Sequence, residues 1–211
     1  MKFYLVRHGE TEWNKLGKFQ GSTDIKLNER GLAQAKESAQ AAAHWGHSTI
    51  YSSPLTRTMQ VAKEIERVTS AAVVAKPGLM ELVLGDLEGV TGDEMLNGWP
   101  DVFHTWRESP ASVKMPNGES LVQLQERAWE TIVSIEKDHE DNESILVVSH
   151  NFAIRTIIGA LVGIPLANFH CLSLGLSSLC VFESDRRGEG GDRARRLITY
   201  NSTCHLSPEN R

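Results

Sequence analysis

Cysteine is scarce in this chain: Cys171, Cys180 and Cys204 are the three among 211 residues. An odd number with no C-x-x-C spacing offers neither a disulfide framework nor a zinc site, so reduced thiols in a cytoplasmic protein are expected. Long apolar runs are missing as well. None approaches the ~20 residues that a membrane-spanning helix needs, and the N-terminus enters an apolar strand-like run without a signal-peptide pattern. A basic excess is also absent. Lys and Arg number 22 against 27 Asp and Glu, a net charge of -5, which disfavours a nucleic-acid surface. No internal repeat or low-complexity stretch is evident. What remains is 40% hydrophobic and 23% charged, the composition of one globular domain over residues 1–211 with room for a sizeable core.

One stretch near the N-terminus organises the rest: Leu5-Val6-Arg7-His8-Gly9-Glu10-Thr11, with Trp13 and Asn14 just beyond. The apolar run Phe3-Tyr4-Leu5-Val6, bounded by charge and glycine, predicts a buried strand. Such a strand delivers Arg7 and His8 to its C-terminal edge, where open α/β sheets bind ligands. Arg offers five donors in a fork that suits phosphate oxygens, and neutral His serves as a nucleophile or base near pH 7. A lone Arg-His pair would mean only a satisfied histidine beside a surface charge; the later stretches decide otherwise.

Asn28-Glu29-Arg30-Gly31 predicts a helix start, with Asn28 as cap and Leu32, Ala35, Ala39 and Ala42 on the packed face. Thr49-Ile50-Tyr51 is a second strand. In Ser52-Ser53-Pro54-Leu55-Thr56-Arg57, Ser53 is placed as N-cap and Pro54 at the first helical position, so Arg57 falls in the positive first turn, an anion site. A third strand covers residues 71–75. Glu81 follows among apolar residues, where a carboxyl group gains a raised pKa suited to a proton donor. Residues 90–117, with two tryptophans and three prolines, are taken as an excursion that covers the pocket. A long helix over 121–137 precedes a fourth strand, Ser144 to Val148. That strand ends in Ser149-His150-Asn151 before an apolar helix, repeating the placement of His8. Strands at 179–182 and 197–200 flank a charged, Gly-rich connection, Glu183 to Arg196, expected to be a hairpin loop.

Strands alternating with helices, with chemical groups at strand ends, predict a single three-layer α/β/α domain with a mostly parallel central sheet. Arg7, Arg57, His8, His150 and Glu81 supply two cations, two imidazoles and one carboxyl group. That set fits phosphoryl transfer, in which negative charge spreads over three equatorial oxygens. No metal or other cofactor is required by so many cationic donors, and the arginines would repel a divalent ion.

The ordered set (the first string, Ser53-Pro54-Leu55-Thr56-Arg57, Glu81 ahead of Gly85-Asp86-Leu87-Glu88-Gly89, and Val148-Ser149-His150) resembles the histidine phosphatase superfamily, also called phosphoglycerate mutase-like. The resemblance extends from Leu5 to about Leu206. It implies His8 as the phosphorylated nucleophile, Glu81 as the acid, and Arg7, Arg57 and His150 as phosphate ligands; the chemistry of the set adds Asn14 as a neutral donor. Gln20 and Gly21 match positions that look toward substrate. Two departures stand out: Asn151 replaces a usual glycine, expected to cap the next helix or to adopt a left-handed conformation, and Leu87 replaces an aromatic. The compact chain and its tail, Asn201 to Leu206, resemble the short broad-specificity and metal-independent phosphatases, and His205 is a candidate for the substrate's carboxylate. The expected function is a phosphomonoesterase acting on a small phosphorylated metabolite, with a homo-oligomer left open. A 2,3-bisphosphoglycerate-dependent mutase and a silent phospho-ligand-binding domain are the alternatives.

Overall fold

A computed structural model describes residues 1–187 and 192–211. The first strand, β1 (Lys2–Arg7), is followed by a single helical turn, α1 (Glu12–Lys15), and by α2 (Glu29–Ala42). Next come β2 (Thr49–Ser52), α3 (Thr56–Thr69) and β3 (Ala72–Ala75). Two short helices, α4 (Gly92–Gly98) and α5 (Pro100–Glu108), occupy the excursion before the long α6 (Leu121–Asp138). The chain closes with β4 (Ser144–Ser149), α7 (Asn151–Val162), β5 (Leu179–Arg187) and β6 (Asp192–Ser202).

The strands form one sheet in the order β3-β2-β4-β1-β5-β6, the first four parallel and the last two antiparallel. β1 and β4 lie side by side at its centre, in register from Lys2 opposite Ser144 to Arg7 opposite Ser149. That register places His8 and His150, one residue past each strand, next to one another. Continuous burial from Ile145 to Ser149 explains why this strand is apolar throughout rather than alternating.

Each face of the sheet carries a core. Phe3, Leu5, Ile145 and Val147 pack against α6 and α7, while Val6, Leu146 and Val148 pack against α2 and α3. The small residues Ala35, Ala39 and Ala42 bring α2 close to the sheet. Leu32, expected on that packed face, is 38% exposed; Gly31, Gln34 and Ser38 are buried instead. A third cluster, including Leu82, Leu87, Met95 and Phe169, lies beneath α4 and α5.

The connection expected from Glu183 to Arg196 is largely strand. β5 and β6 pair from Leu179 opposite Ser202 to Arg187 opposite Asp192, leaving only 188–191 outside the described residues. Charged residues sit in this ladder with partners, Arg195 on buried Glu136 and Arg196 on Glu183, so charge alone did not mark a loop. No helix among the described residues is long and apolar enough to cross a membrane.

Candidate active site

His8 follows β1 and is almost wholly buried. Its Nδ1 lies 2.7 Å from the Gly9 carbonyl oxygen. A carbonyl only accepts, so Nδ1 carries the proton and Nε2 keeps its lone pair. Burial, followed by the charges of Arg57 and Arg7, pushes the pKa of His8 well below the ordinary imidazole value. The ring is therefore neutral near pH 7 and has a nucleophilic nitrogen. Arg7 donates from Nη1 to the Leu174 carbonyl at 2.6 Å, and its buried Nε has no hydrogen-bond partner among the described residues. Burial brings the Arg7 pKa down to about 10, so it stays charged.

Arg57 lies in the first turn of α3, as expected, but the helix starts at Thr56 rather than at Pro54. Ser53 is not its cap. The N-cap position is Leu55, which has no side-chain cap bond; Asp24 instead accepts from the backbone N–H of Thr56 at 2.6 Å and from its hydroxyl at 2.7 Å. Ser53 is extended toward the second imidazole, its hydroxyl 2.8 Å from His150 Nε2. Arg57 Nε donates to His150 Nδ1 at 3.2 Å, so Nε2 carries the proton of that ring. Arg57 also donates to the carbonyls of Thr23 and Gly21 at 2.9 and 2.7 Å, and two of its five N–H groups remain beyond these three bonds. The rings of His8 and His150 meet edge to face with centroids 5.2 Å apart. Burial is the main reason that His150, too, has a pKa well below the ordinary value.

Glu81 is buried and sits on the N-terminus of α7. Its Oε1 accepts from the backbone N–H groups of Leu82, Phe152 and Ala153 at 3.0, 3.1 and 3.2 Å, while Oε2 shares only the Phe152 N–H at 3.1 Å. Burial raises its pKa above the usual carboxyl range, against the downward pull of those N–H groups and of Arg57 and Arg7. Oε2, with the fewer donors, is the oxygen suited to hold a proton.

An open pocket of about 400 Å³ is lined by Arg7, His8, Asn14, Gln20, Glu81 and Asn151, together with Lys18, Phe19 and Phe152. Six of the residues expected at a site thus share one pocket. Arg57 and His150, expected as phosphate ligands, are fully buried and do not line this pocket; both ring nitrogens of His150 are already bonded, to Arg57 and to Ser53. Asn14 Oδ1 accepts from the backbone N–H and hydroxyl of Thr11 at 3.1 and 3.0 Å, which leaves its amide N–H groups to act as donors. Gln20 Oε1 takes the Thr11 hydroxyl at 2.9 Å.

Three further expectations need correction. Gly21 is buried under its neighbours: a Cβ there would stand 2.6 Å from the Leu82 carbonyl, so glycine is required for packing. Asn151 neither caps α7 nor has a positive φ. It is the first helical residue, and the Glu81 carboxyl group satisfies the N–H groups that follow it. His205 does not line the pocket; its Nε2 meets the Ser38 hydroxyl at 3.2 Å and its ring packs edge-on against Trp45.

A family model described as the histidine phosphatase superfamily, branch 1, matches residues 3–194. The chain belongs to that superfamily. It is 34% identical to a protein named phosphoserine phosphatase 1 of Hydrogenobacter thermophilus, covering 98% of this chain and 94% of that one. A solved phosphoserine phosphatase from Entamoeba histolytica, in complex with 3-phosphoglyceric acid, superposes with TM-score 0.81 at 33% identity over 98% of this chain and 99% of that one. A mycobacterial glucosyl-3-phosphoglycerate phosphatase solved with VO3 gives TM-score 0.86 at 26% identity, over 96% and 99% of the two chains. These relatives support phosphatase over mutase activity.

Within this histidine phosphatase, sequence reasoning missed Lys18, Phe19 and Phe152 as pocket residues and Ser53 as the partner of His150. Phe152 was legible in principle, since it sits beside Asn151 at the opening of a helix aimed at the site. Ser53 gave the opposite signal, because serine before proline is a helix-start pattern.

Proposed function

We propose that this chain hydrolyses phosphomonoesters of small metabolites through a phosphohistidine on His8, without a metal. The observation that carries this reading is the 2.7 Å bond from His8 Nδ1–H to the Gly9 carbonyl, which leaves a neutral Nε2 in a pocket shared with Arg7 and Glu81. His8 Nε2 attacks phosphorus, and the bond from phosphorus to the ester oxygen breaks. Arg7 and the amide N–H groups of Asn14 take the equatorial oxygens, with Arg57 adding positive charge from its buried position and His150 packed edge-on against His8. Glu81 gives its proton to the leaving oxygen. Water then attacks the phosphohistidine, Glu81 takes a proton from that water, and the phosphorus–nitrogen bond breaks to release phosphate and neutral His8.

The cationic charge that a metal would supply already comes from Arg7 and Arg57, which favours metal independence. Residues 90–117 serve as a cover: Met95 and Trp106 line an apolar cavity that shares Phe19 and Phe152 with the pocket and includes Leu87. The alcohol half of the substrate lies toward that side. Phosphoserine and phosphorylated glycerates, the compounds named in its relatives, are the first to try. Phosphate release from such a panel in the presence of chelator tests the reading; activity restored only by added metal would refute it.

A further inference from the structure

The pocket explains which atoms react but not what holds the nucleophile's backbone. The turn His8-Gly9-Glu10 is held by the Ser149 carbonyl and by Asn28 and Arg30, and two further routes grip it from the side of the chain's tail. In the first, Gln34 of α2, fully buried, accepts the Glu10 N–H on Oε1 at 2.8 Å and donates from Nε2 to the Asn210 carbonyl at 2.7 Å. One amide therefore joins the catalytic turn to the end of the chain. In the second, the backbone N–H of Ser177 donates to the His8 carbonyl at 3.1 Å. Ser177 is held in a left-handed conformation at φ +55°, its hydroxyl 3.0 Å from that of Ser38, which in turn meets His205 Nε2. A left-handed serine persists only where its surroundings over-determine it.

The tail is itself firmly fixed to α2. Glu37 accepts from the Ser207 N–H and hydroxyl and from the Asn210 side chain at 2.8–2.9 Å, and Arg30 reaches the Arg211 carbonyl at 2.6 Å. None of these residues lines the pocket, so they touch no substrate.

We propose that residues 204–211 act as a clamp that positions the nucleophile, reaching the His8–Glu10 backbone through Gln34 and through Ser38 and Ser177. The inference rests on His8 being the nucleophile. Its consequence is that the carbonyl fixing the His8 tautomer stays in place only while the tail is docked. Gln34 and His205 are thus positioning residues.

The test compares the full chain with a truncation after Leu206, with Gln34→Glu, and with the two changes combined. Gln34→Glu keeps an acceptor for Glu10 but sets a carboxylate against the Asn210 carbonyl, so it breaks the link to the tail alone. Small misplacement of a reacting group costs on the order of 10- to 100-fold in rate. The truncation and Gln34→Glu should each lower kcat by ~10-fold or more with KM little changed, and the combination should add little, because both break one link. Nitrogen-15 NMR of the imidazoles should show His8 moving from a single Nδ1–H tautomer to a mixture. If the truncation does not fold, Gln34→Glu and the tautomer decide. Unchanged kcat and tautomer, a rise in KM alone, or multiplicative losses would each overturn the clamp. Absence of phosphohistidine in the full chain would instead overturn the proposed function, and the tautomer measurement would still decide the clamp.

Discussion

At the scale of single residues, proton placement divides the chemistry. His8 has its proton on Nδ1 against Gly9, and His150 has its proton on Nε2 against Ser53, because Arg57 occupies the other nitrogen. Two imidazoles 5.2 Å apart are thereby held in opposite tautomers, His8 with an unprotonated Nε2 and His150 with its Nε2–H given to Ser53. His8→Ala should abolish turnover while leaving the fold intact by circular dichroism. Glu81→Gln retains an acceptor for the α7 N–H groups but cannot deliver an acidic proton. It should slow hydrolysis of an alkyl phosphate ~100-fold or more, the usual scale for general acid catalysis, and that of nitrophenyl phosphate much less. Equal losses on both would remove Glu81 from the acid role. Because burial raises the Glu81 pKa, activity on alkyl esters should decline as pH rises through that pKa, and nitrophenyl phosphate should show a weaker decline.

At the scale of elements, two helix starts place the site's charged groups: α3 carries Arg57 in its first turn, and α7 holds the Glu81 carboxyl group on its first N–H groups. α3 presents Arg57, and its cap is Asp24 from a loop 32 residues earlier in the chain. Asp24→Ala should cost about 1 kcal/mol of stability, the usual value of an N-cap, as read from the urea midpoint. α2 presses its first turn against the His8-Gly9-Glu10 turn: a Cβ on Gly31 would stand 2.0 Å from the Glu10 carbonyl oxygen. Gly31→Ala should therefore lower both kcat and thermal stability, whereas Gly92→Ala, where added carbon meets nothing within 4 Å, should change neither.

These elements also show what the sequence could convey. His8 and His150 were legible because a buried parallel strand writes a continuous apolar run and its last residue is then known. The Ser53-Pro54 pattern misled because helix starts are decided by where orphan N–H groups find an acceptor, and Asp24 is remote in sequence. α4 and α5 were not separable from loop: Gly92, Gly98 and Pro100 interrupt the segment, and the apolar side of α5, Val102, Phe103 and Trp106, is only partly buried. The contact of Gln34 with the Glu10 backbone and that of His205 with Ser38 are tertiary and leave no local signal.

At the scale of the whole molecule, the burial of imidazoles at the pocket and away from it ties stability to pH. His8, His150, His47 and His205 all have pKa values below the ordinary 6.5, chiefly because burial penalises the imidazolium. The unfolded chain takes up protons as pH falls through 6.5 while the folded chain resists them. The contribution of these residues is thus fully present above that pH and lost progressively below it. The urea midpoint should fall between pH 7.5 and 5.5; a midpoint that rises over that interval would contradict neutral, buried imidazoles.

The most direct test uses a phosphate ester labelled with phosphorus-32, rapid acid-free quenching and chelator throughout. Wild-type protein should carry an alkali-stable, acid-labile label on a peptide containing His8, formed and lost at rates consistent with turnover, and His8→Ala should carry none. Steady hydrolysis by the wild type with no such label, or equal labelling of His8→Ala, would contradict the account.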